Sequence, residues 1–142
     1  MKILVSACLL GENCKYSGGN NYNQAVCDFA RGHQVVPVCP EVLGGLPTPR
    51  CPAEIVQGVV TNKEGINVDR EFRAGAAKAL AIAKENRVEL AILQSRSPSC
   101  GVKEIYDGTF SGTKIPGQGV FAKMLMTKVS VFWMPGNCLK LS

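Results

Sequence analysis

The sequence predicts a single-domain α/β protein whose mainly parallel, Rossmann-like sheet forms a three-layer sandwich with short hairpin insertions. Short apolar runs rich in β-branched residues alternate with amphipathic stretches along the 142-residue chain, which is the pattern of right-handed βαβ crossovers. Hydrophobic residues make up 46% of the chain, enough for one substantial core. No linker, repeat or low-complexity segment divides the chain, so we expect residues 1–142 to form one domain.

The first third of the chain contains two predicted strands that flank a helix. Residues 2–6 (KILVS) and 34–38 (QVVPV) are short apolar runs typical of buried strands. Pro37 cannot donate a ladder hydrogen bond and therefore indicates an irregular or edge-like end of the second strand. Residues 21–31 carry apolar side chains at helical spacing. Residues 39–54 contain four prolines and two adjacent glycines, so we expect a stiff loop there.

The rest of the chain adds a hairpin, a long helix and further strands. Residues 55–68 read as two short strands around a turn at 62–65. Asp69 is the expected N-cap of an amphipathic helix that ends at Arg87. The remaining predicted elements are a buried strand at 89–94, a hairpin at 105–112, a short helix at 119–128 and a final strand at 129–133.

Charge and hydropathy argue against two classes of partner. The net charge of +5 is spread along the chain, without the clustered basic stripe of a nucleic-acid-binding surface. No stretch approaches the roughly 20 consecutive apolar residues that span a membrane. The N-terminal MKILVSACLLGENC has a brief apolar run and no small-residue cleavage pattern, so we do not interpret it as a signal peptide. We therefore expect a cytoplasmic protein without a specific nucleic-acid or membrane partner.

Three of the seven cysteines follow predicted parallel strands. Cys8, Cys39 and Cys100 each lie just beyond a strand end, and ligands of open α/β sheets bind at the carboxyl ends of the strands. Because neighbouring strands lie about 4.8 Å apart, we expect these three thiols to border one pocket. Two other cysteines, Cys14 and Cys51, lie in loops at the same edge and are secondary candidates.

The spacing of these cysteines leaves three interpretations open. Thiolates suit zinc or iron–sulfur clusters, and three protein ligands would leave one metal position free for a substrate. The single histidine, His33, precedes its strand and is at the wrong end to complete such a site. Alternatively, one cysteine is a nucleophile of depressed pKa, or all three are buried packing residues.

Polar residues near the cysteines are candidates for proton transfer and binding. Glu41 lies in the stiff loop, two residues after a candidate cysteine, where a carboxylate can act as general acid or base. Ser97 and Ser99 precede Cys100. Their hydroxyl groups would hold water or a substrate carbonyl, or would satisfy backbone groups of their own loop. Lys15 and Arg50 would supply positive charge to an anionic site.

Four segments resemble the TudS-like thiouracil desulfidase family, bacterial proteins long described as a domain of unknown function. The segments are VSACLLG, VVPVCPEVLGGLPTPR, SRSPSCG and IYDGTFSGT, and the resemblance covers nearly the whole chain. It implies an oxygen-sensitive [4Fe-4S] cluster held by Cys8, Cys39 and Cys100, with one iron free to take the sulfur of a thiolated nucleobase. It also implies a non-redox reaction in which a thiocarbonyl becomes a carbonyl and sulfide leaves.

The same resemblance assigns roles around the cluster. Glu41 would handle protons and activate water, and Ser97 would orient the substrate or the water. The residues expected to contact the substrate, a 2-thiouracil-like pyrimidine, are Ser99, Lys15, Tyr16 and Arg50. The chain departs from the family pattern at three positions: Lys15 and Ser17 replace a frequent arginine and aspartate, and Cys51 replaces a usual proline.

Two other functions remain as alternatives to the desulfidase. The first is a non-catalytic module that holds zinc or a cluster and senses metal or redox state. It requires a closed site with a fourth ligand such as Cys14 or Cys51. The second is a metal-free enzyme with a cysteine nucleophile.

Overall fold

A five-stranded sheet forms the centre of the protein in a computed structural model, which describes residues 1–141. In chain order, the elements are β1 (Lys2–Ser6), a 3₁₀ turn (Ala7–Leu10), α1 (Gln24–Ala30), β2 (Gln34–Val38), α2 (Pro40–Leu43), β3 (Ala53–Val56), β4 (Val59–Asn62), α3 (Asp69–Glu85), β5 (Leu90–Ile92), β6 (Glu104–Tyr106), β7 (Lys114–Pro116), α4 (Val120–Lys128), β8 (Val131–Met134) and β9 (Cys138–Leu141).

The central sheet is mixed, with the strand order β2-β1-β5-β9-β8. β1 runs parallel to both of its neighbours, so that Leu4 pairs with Val36 on one side and with Ala91 on the other. β9 runs antiparallel to both β5 and β8. The prediction of a mainly parallel sheet therefore describes β2, β1 and β5 but not the β8–β9 hairpin. β2 lies at the sheet edge, as Pro37 indicates.

Helices cover both faces of the sheet. Alternate residues of a strand point to opposite sides, so the apolar residues of β1 contribute to a core cluster on each face. Ile3 and Val5 belong to a core cluster that includes Ala30 of α1. Leu4, between them, belongs to the larger cluster on the other face, where α3 and α4 pack. Phe72 of that cluster is 2% exposed, and full burial of such a side chain stabilises a fold by roughly 1.5–3 kcal/mol.

A close helix contact fixes the short helix α2, which follows Cys39. Gly44 ends α2 and Gly75 lies in α3, and the backbones of the two helices touch at these glycines. A Cβ atom built on Gly75 would overlap the carbonyl oxygen of Pro40, and one on Gly44 would overlap that of Glu71. Only glycine fits at either position, so α2 is held directly against α3.

The hairpins depart from their predicted positions. β3 and β4 are joined at Gln57 and Gly58, whose φ angles are +49° and +81°, as in a primed hairpin turn. The turn predicted at 62–65 exists, but it follows β4 rather than joining the strands. β6 and β7 form the predicted second hairpin, but the loop 107–113 separates them.

Two further differences concern the long helix and the end of the chain. Asp69 is the first residue of α3 rather than its cap, and its carboxylate accepts a hydrogen bond from the Val60 N–H at 3.0 Å. α3 ends at Glu85, before Arg87, whose φ of +51° is incompatible with a helix. β9 is not predicted from the sequence.

Within residues 1–141, no helix has the length and apolar character needed to cross a membrane.

Candidate active site

A cavity of about 470 Å³ opens beyond the carboxyl ends of β1, β2 and β5. Cys8, Cys39 and Cys100 all line it, as the strand-end rule leads one to expect. The volume lies within the range of small-molecule sites, roughly 300–1,000 Å³. The cavity is therefore large enough for an inorganic group together with a small organic molecule.

The Cys8 thiol lies in the 3₁₀ turn that follows β1. The side-chain amide of Asn21 donates a hydrogen bond to its Sγ at 3.4 Å. Burial raises the pKa of Cys8, the charges of Cys39 and Glu41 raise it further, and the Asn21 hydrogen bond opposes these effects. Asn21 also lines the cavity, so it can orient the sulfur towards a ligand.

The Cys100 thiol is the most deeply placed of the three, with the residue 4% exposed. Burial raises its pKa well above the ordinary value, although a hydrogen bond from the Ser6 side chain opposes this shift. Ser6, which ends β1, also accepts the N–H of Gln94 at 2.9 Å. Ser6 therefore links the ends of β1 and β5 to the sulfur.

Cys39 precedes α2, and a fourth thiol lies beside it. The Sγ of Cys39 is 3.8 Å from the carbonyl oxygen of Cys14. Cys14 also lines the cavity, whereas Cys51 is not among the lining residues. Burial, together with the charge and hydrogen bonding of Cys39, raises the pKa of Cys14 to about 12. Of the two secondary candidates, only Cys14 therefore reaches the cavity.

The donor set fits an iron–sulfur cluster. Burial and mutual repulsion raise the pKa values of Cys8 and Cys100, so several thiolates can coexist here only if a cationic group compensates their charge. Among residues 1–141, no three His, Cys, Asp or Glu side chains are grouped to hold a metal ion. A cluster does not need such a group, because each thiolate binds a different iron.

Glu41 lies two residues after Cys39, and two side chains hold it. Arg50 Nε and Nη2 both donate to its Oε1, at 3.2 and 3.1 Å. The Ser99 hydroxyl donates to its Oε2 at 3.2 Å. Glu41 lines the cavity and its side chain is 16% exposed. Its orientation is therefore fixed while it keeps access to a ligand.

Every N–H group of the Arg50 guanidinium has a protein partner. Nε and Nη2 donate to Glu41. In addition, Nη1 donates to Pro47 O at 3.1 Å and to Thr48 Oγ1 at 3.0 Å, and Nη2 donates to Cys14 O at 2.9 Å. Guanidinium has five N–H donors, so none is left over for a substrate. The expected substrate contact of Arg50 would require one of these bonds to break.

The two predicted serines have different environments. Ser97 lines the cavity, and its Oγ accepts the N–H groups of Ser99 and Cys100 at 3.0 and 3.1 Å. With both lone pairs occupied, the Ser97 hydroxyl can act on a ligand only as a donor. Ser99 is completely buried and is not among the lining residues. Contrary to the expectation of a substrate contact, Ser99 lies behind Glu41 and supports it.

Lys15 and Tyr16 lie at the cavity in the loop after the 3₁₀ turn. The Arg50 N–H donates to the Tyr16 carbonyl oxygen at 2.7 Å, which ties this loop to the proline-rich segment. The Lys15 ammonium is 5.7 Å from the centroid of the Tyr16 ring. Both side chains are therefore positioned to meet a ligand that enters the cavity.

Several cavity-lining residues are not predicted from the sequence. They share a position on the walls formed by the hairpins and loops, and they are Asn21, Glu54, Lys63, Arg96, Tyr106 and Phe110. Tyr106 and Phe110 lie in the segment IYDGTFSGT. The resemblance of that segment to a known family is the signal that could have identified them.

The fold and the cavity define an α/β protein with a cysteine-lined site at the strand ends. The model of the 2-thiouracil desulfurase family matches residues 3–135, so the chain belongs to this family.

Two relatives agree with this assignment. The uncharacterized protein YbbK of Bacillus subtilis (strain 168) is 43% identical over 133 residues, covering 87% of this chain and 88% of YbbK. The solved structure of the [4Fe-4S]-dependent thiouracil desulfidase TudS is 40% identical. The match covers 89% of this chain and 85% of TudS, with a TM-score of 0.81.

Proposed function

We propose that this protein is a [4Fe-4S]-dependent desulfidase that acts on a small thiolated pyrimidine such as 2-thiouracil. The reaction replaces a thiocarbonyl by a carbonyl: water supplies the oxygen, and the sulfur leaves as sulfide without a change of oxidation state. One observation carries the proposal: Cys8, Cys39, Cys100 and Glu41 line the same cavity. The 40% identity to a [4Fe-4S]-dependent thiouracil desulfidase supports it.

In this proposal, Cys8, Cys39 and Cys100 hold the cluster. When bound, the cluster would supply Lewis acidity towards the thiocarbonyl sulfur of the substrate. Asn21 and Ser6 orient two of the ligands, because each hydrogen-bonds to a cysteine sulfur. Such supporting contacts commonly affect metal affinity by 10–100-fold, as an order of magnitude.

Glu41 is the proposed proton-transfer residue. Its carboxylate takes a proton from the attacking water, and the same group can return that proton to the departing sulfur. Ser97 donates a hydrogen bond to the water or to the substrate, since its oxygen already accepts two N–H groups. Arg50 and Ser99 are positioning residues that hold the two oxygens of Glu41.

Lys15 and Tyr16 are the proposed substrate contacts at the entrance to the cavity, supported by their presence among its lining residues. A lysine presents a point charge rather than the planar fork of an arginine. The Lys15 ammonium can therefore follow a polar substituent on the ring without imposing one geometry.

The proposal extends to the domain organisation of the chain and to its cellular compartment. We infer that residues 1–142 act as one domain, because a single sheet joins strands from both ends of the chain. Helices on both faces of this sheet support a Rossmann-like three-layer arrangement. All seven cysteines are free, which supports a reducing, cytoplasmic environment.

Anaerobic reconstitution tests the proposal. The purified chain is incubated with ferrous iron, sulfide and a thiol reductant without oxygen, and is then desalted. We expect about four irons per chain, the visible absorbance of an iron–sulfur cluster, and release of sulfide and uracil from 2-thiouracil. A chain that binds no iron and releases no sulfide would contradict the proposal.

One observation favours a second function. Cys14 lies beside Cys39 in the cavity, so a fourth thiolate could close the coordination of a cluster. The protein would then sense metal or redox state without catalysis. A reconstituted chain that binds about four irons, loses them in Cys14→Ala and releases no sulfide from 2-thiouracil would support this function. A metal-free nucleophile at Cys8 or Cys100 is disfavoured, because a nucleophile needs a depressed thiol pKa whereas burial raises the pKa values of these two residues.

A further inference from the structure

The loop 107–113, between β6 and β7, contributes an aromatic residue to the cavity. Phe110 lines the cavity together with Tyr106 and is partly buried. Neither core cluster formed by residues 1–141 includes Phe110. Its ring therefore belongs to the wall of the cavity rather than to the core of the protein.

The backbone at Phe110 adopts a conformation that aromatic residues rarely take. Its φ angle is +57°, in the left-handed region that glycine and asparagine usually occupy. Conformations of this kind persist only where the surrounding structure enforces them, and they cluster at ligand-binding sites. Contacts around the loop must therefore hold this conformation.

Glu54 of β3 holds the backbone on both sides of the aromatic residue. Its Oε1 accepts the N–H of Gly108 at 3.0 Å and the N–H of Phe110 at 3.1 Å. Gly108 lies against β3, since a Cβ atom there would be 2.7 Å from the Ile55 carbonyl oxygen. The loop is therefore anchored to the hairpin at one carboxylate and at one close backbone contact.

Hydroxyl groups close the loop from within. Thr109 Oγ1 donates to Asp107 Oδ1 and lies 2.6 Å from Ser111 Oγ, which in turn lies 2.8 Å from Thr113 Oγ1. This chain of hydrogen bonds limits the freedom of the loop on its outer side. Together with Glu54, it restrains the backbone that carries the aromatic ring at the cavity.

We propose that Phe110 is the surface on which the ring of the substrate stacks, and that Glu54 is the residue that positions it. The proposal rests on the proposed function, which supplies a planar thiolated pyrimidine as the substrate. Stacking recognises the π-face of a ring and not its hydrogen-bonding edge. The cavity would therefore select flat thiolated heterocycles over acyclic thiocarbonyl compounds such as thiourea.

Replacement of the aromatic ring tests the proposal. Phe110→Ala, Phe110→Tyr and a matched control, Phe132→Ala, are prepared with the cluster loaded; Phe132 lies in β8 and is 61% exposed. KM and kcat for 2-thiouracil are measured, and the Kd of uracil is measured by calorimetry. We expect Phe110→Ala to raise both KM and the uracil Kd roughly 10-fold or more, with kcat changed less than about twofold.

The controls separate stacking from other effects. Phe132→Ala should match the wild type in KM and Kd, whereas Phe110→Tyr, which keeps an aromatic face, should lose far less affinity than Phe110→Ala. Iron content should be equal in all four proteins. An unchanged KM and uracil Kd in Phe110→Ala would overturn the proposal, as would a wild type that does not bind uracil. A wild type that binds uracil but releases no sulfide would contradict the proposed function alone.

The role of Glu54 is tested by an alanine and a glutamine variant. Glu54→Ala removes the acceptor of both N–H groups and should raise the uracil Kd as much as Phe110→Ala does. Glu54→Gln keeps an acceptor oxygen and should restore wild-type affinity. The double variant Glu54→Ala/Phe110→Ala should bind uracil no more weakly than either single variant. Additive losses, or failure of glutamine to rescue, would show that Glu54 does not act through Phe110.

Discussion

The guanidinium of Arg50 donates from both Nε and Nη2 to a single oxygen, Oε1, of Glu41. The side chains of the two residues are 7% and 16% exposed, so the pair is largely removed from water. The other guanidinium hydrogens bind the proline-rich loop and the backbone of Cys14. The arginine thus fixes the proposed proton-transfer group and the loop that carries the fourth thiol at the same time.

Replacement of Arg50 should impair catalysis more than cluster binding. Arg50→Lys keeps the charge but loses the planar fork, and lysine cannot reach all of these acceptors at once. We expect kcat to fall by about 10–100-fold, whereas Glu41→Gln should lower it by roughly 10²–10⁴-fold. Steady-state assays on reconstituted protein test this. Equal kcat values for Arg50→Lys and wild type would contradict a positioning role.

Complete removal of the Arg50 side chain also has a stability consequence. Arg50→Ala leaves the Glu41 carboxylate without its ion-pair partner in a largely buried site. Loss of one partner of a buried pair costs about 3–5 kcal/mol, so we expect a substantially lower urea midpoint at pH 7. Arg31→Ala is the control, because the side chains of Arg31 and its partner Asp28 are 77% and 52% exposed. Equal midpoints for the two variants would contradict this account.

Single cysteine replacements should divide the thiols into two groups. Cys8→Ala, Cys39→Ala and Cys100→Ala should each lose the cluster absorbance and most of the iron, because each removes one of three proposed ligands. Cys14→Ala and Cys51→Ala should keep both. The measurement is iron per chain after anaerobic reconstitution and desalting. If Cys14→Ala lost as much iron as Cys39→Ala, the site would be closed by four thiolates.

The placement of Cys8, Cys39 and Cys100 around one cavity could be predicted from the sequence because it depends on topology alone. Thiols that follow parallel strands must lie at one edge of the sheet, and no side-chain detail is needed. The contact between Ser99 and Glu41 joins residues 58 positions apart, and strand patterns carry no information about it. β9 escapes prediction because it is short and pairs antiparallel within an otherwise parallel region. Phe110 escapes because its backbone conformation departs from the preferences of its residue type.

Acid should remove one electrostatic contribution to stability. Burial raises the pKa of Asp69, but hydrogen bonds from Arg73 and the Val60 N–H outweigh burial and lower it overall. A carboxyl group whose folded-state pKa is lowered stabilises the fold above its unfolded pKa, about 3.9, and this contribution is lost as pH falls through the folded value.

The variant Asp69→Asn tests this contribution. At pH 7 we expect it to reduce the free energy of unfolding by about 0.5–1 kcal/mol, and the deficit should disappear as the pH falls well below 4. Urea denaturation of wild type and variant across this pH range provides the measurement. Asp28→Asn, whose side chain is 52% exposed, should show little deficit at any pH. A deficit of Asp69→Asn that stays constant down to the lowest pH would mean that charge is not its source.

The contact between α2 and α3 should link the core to the cysteine site. Gly75→Ala places a methyl group where the Pro40 carbonyl oxygen lies, and because α2 begins directly after Cys39, α2 must move away from α3. Overpacking of this kind costs about 1–3 kcal/mol, and the displacement should also reduce iron binding. Calorimetric melting and iron content test both effects. The control Gly19→Ala introduces a Cβ atom 3.5 Å from Ser17 Oγ, an ordinary contact. If Gly75→Ala lowered the melting temperature but bound iron like wild type, the position of Cys39 would not depend on this helix contact.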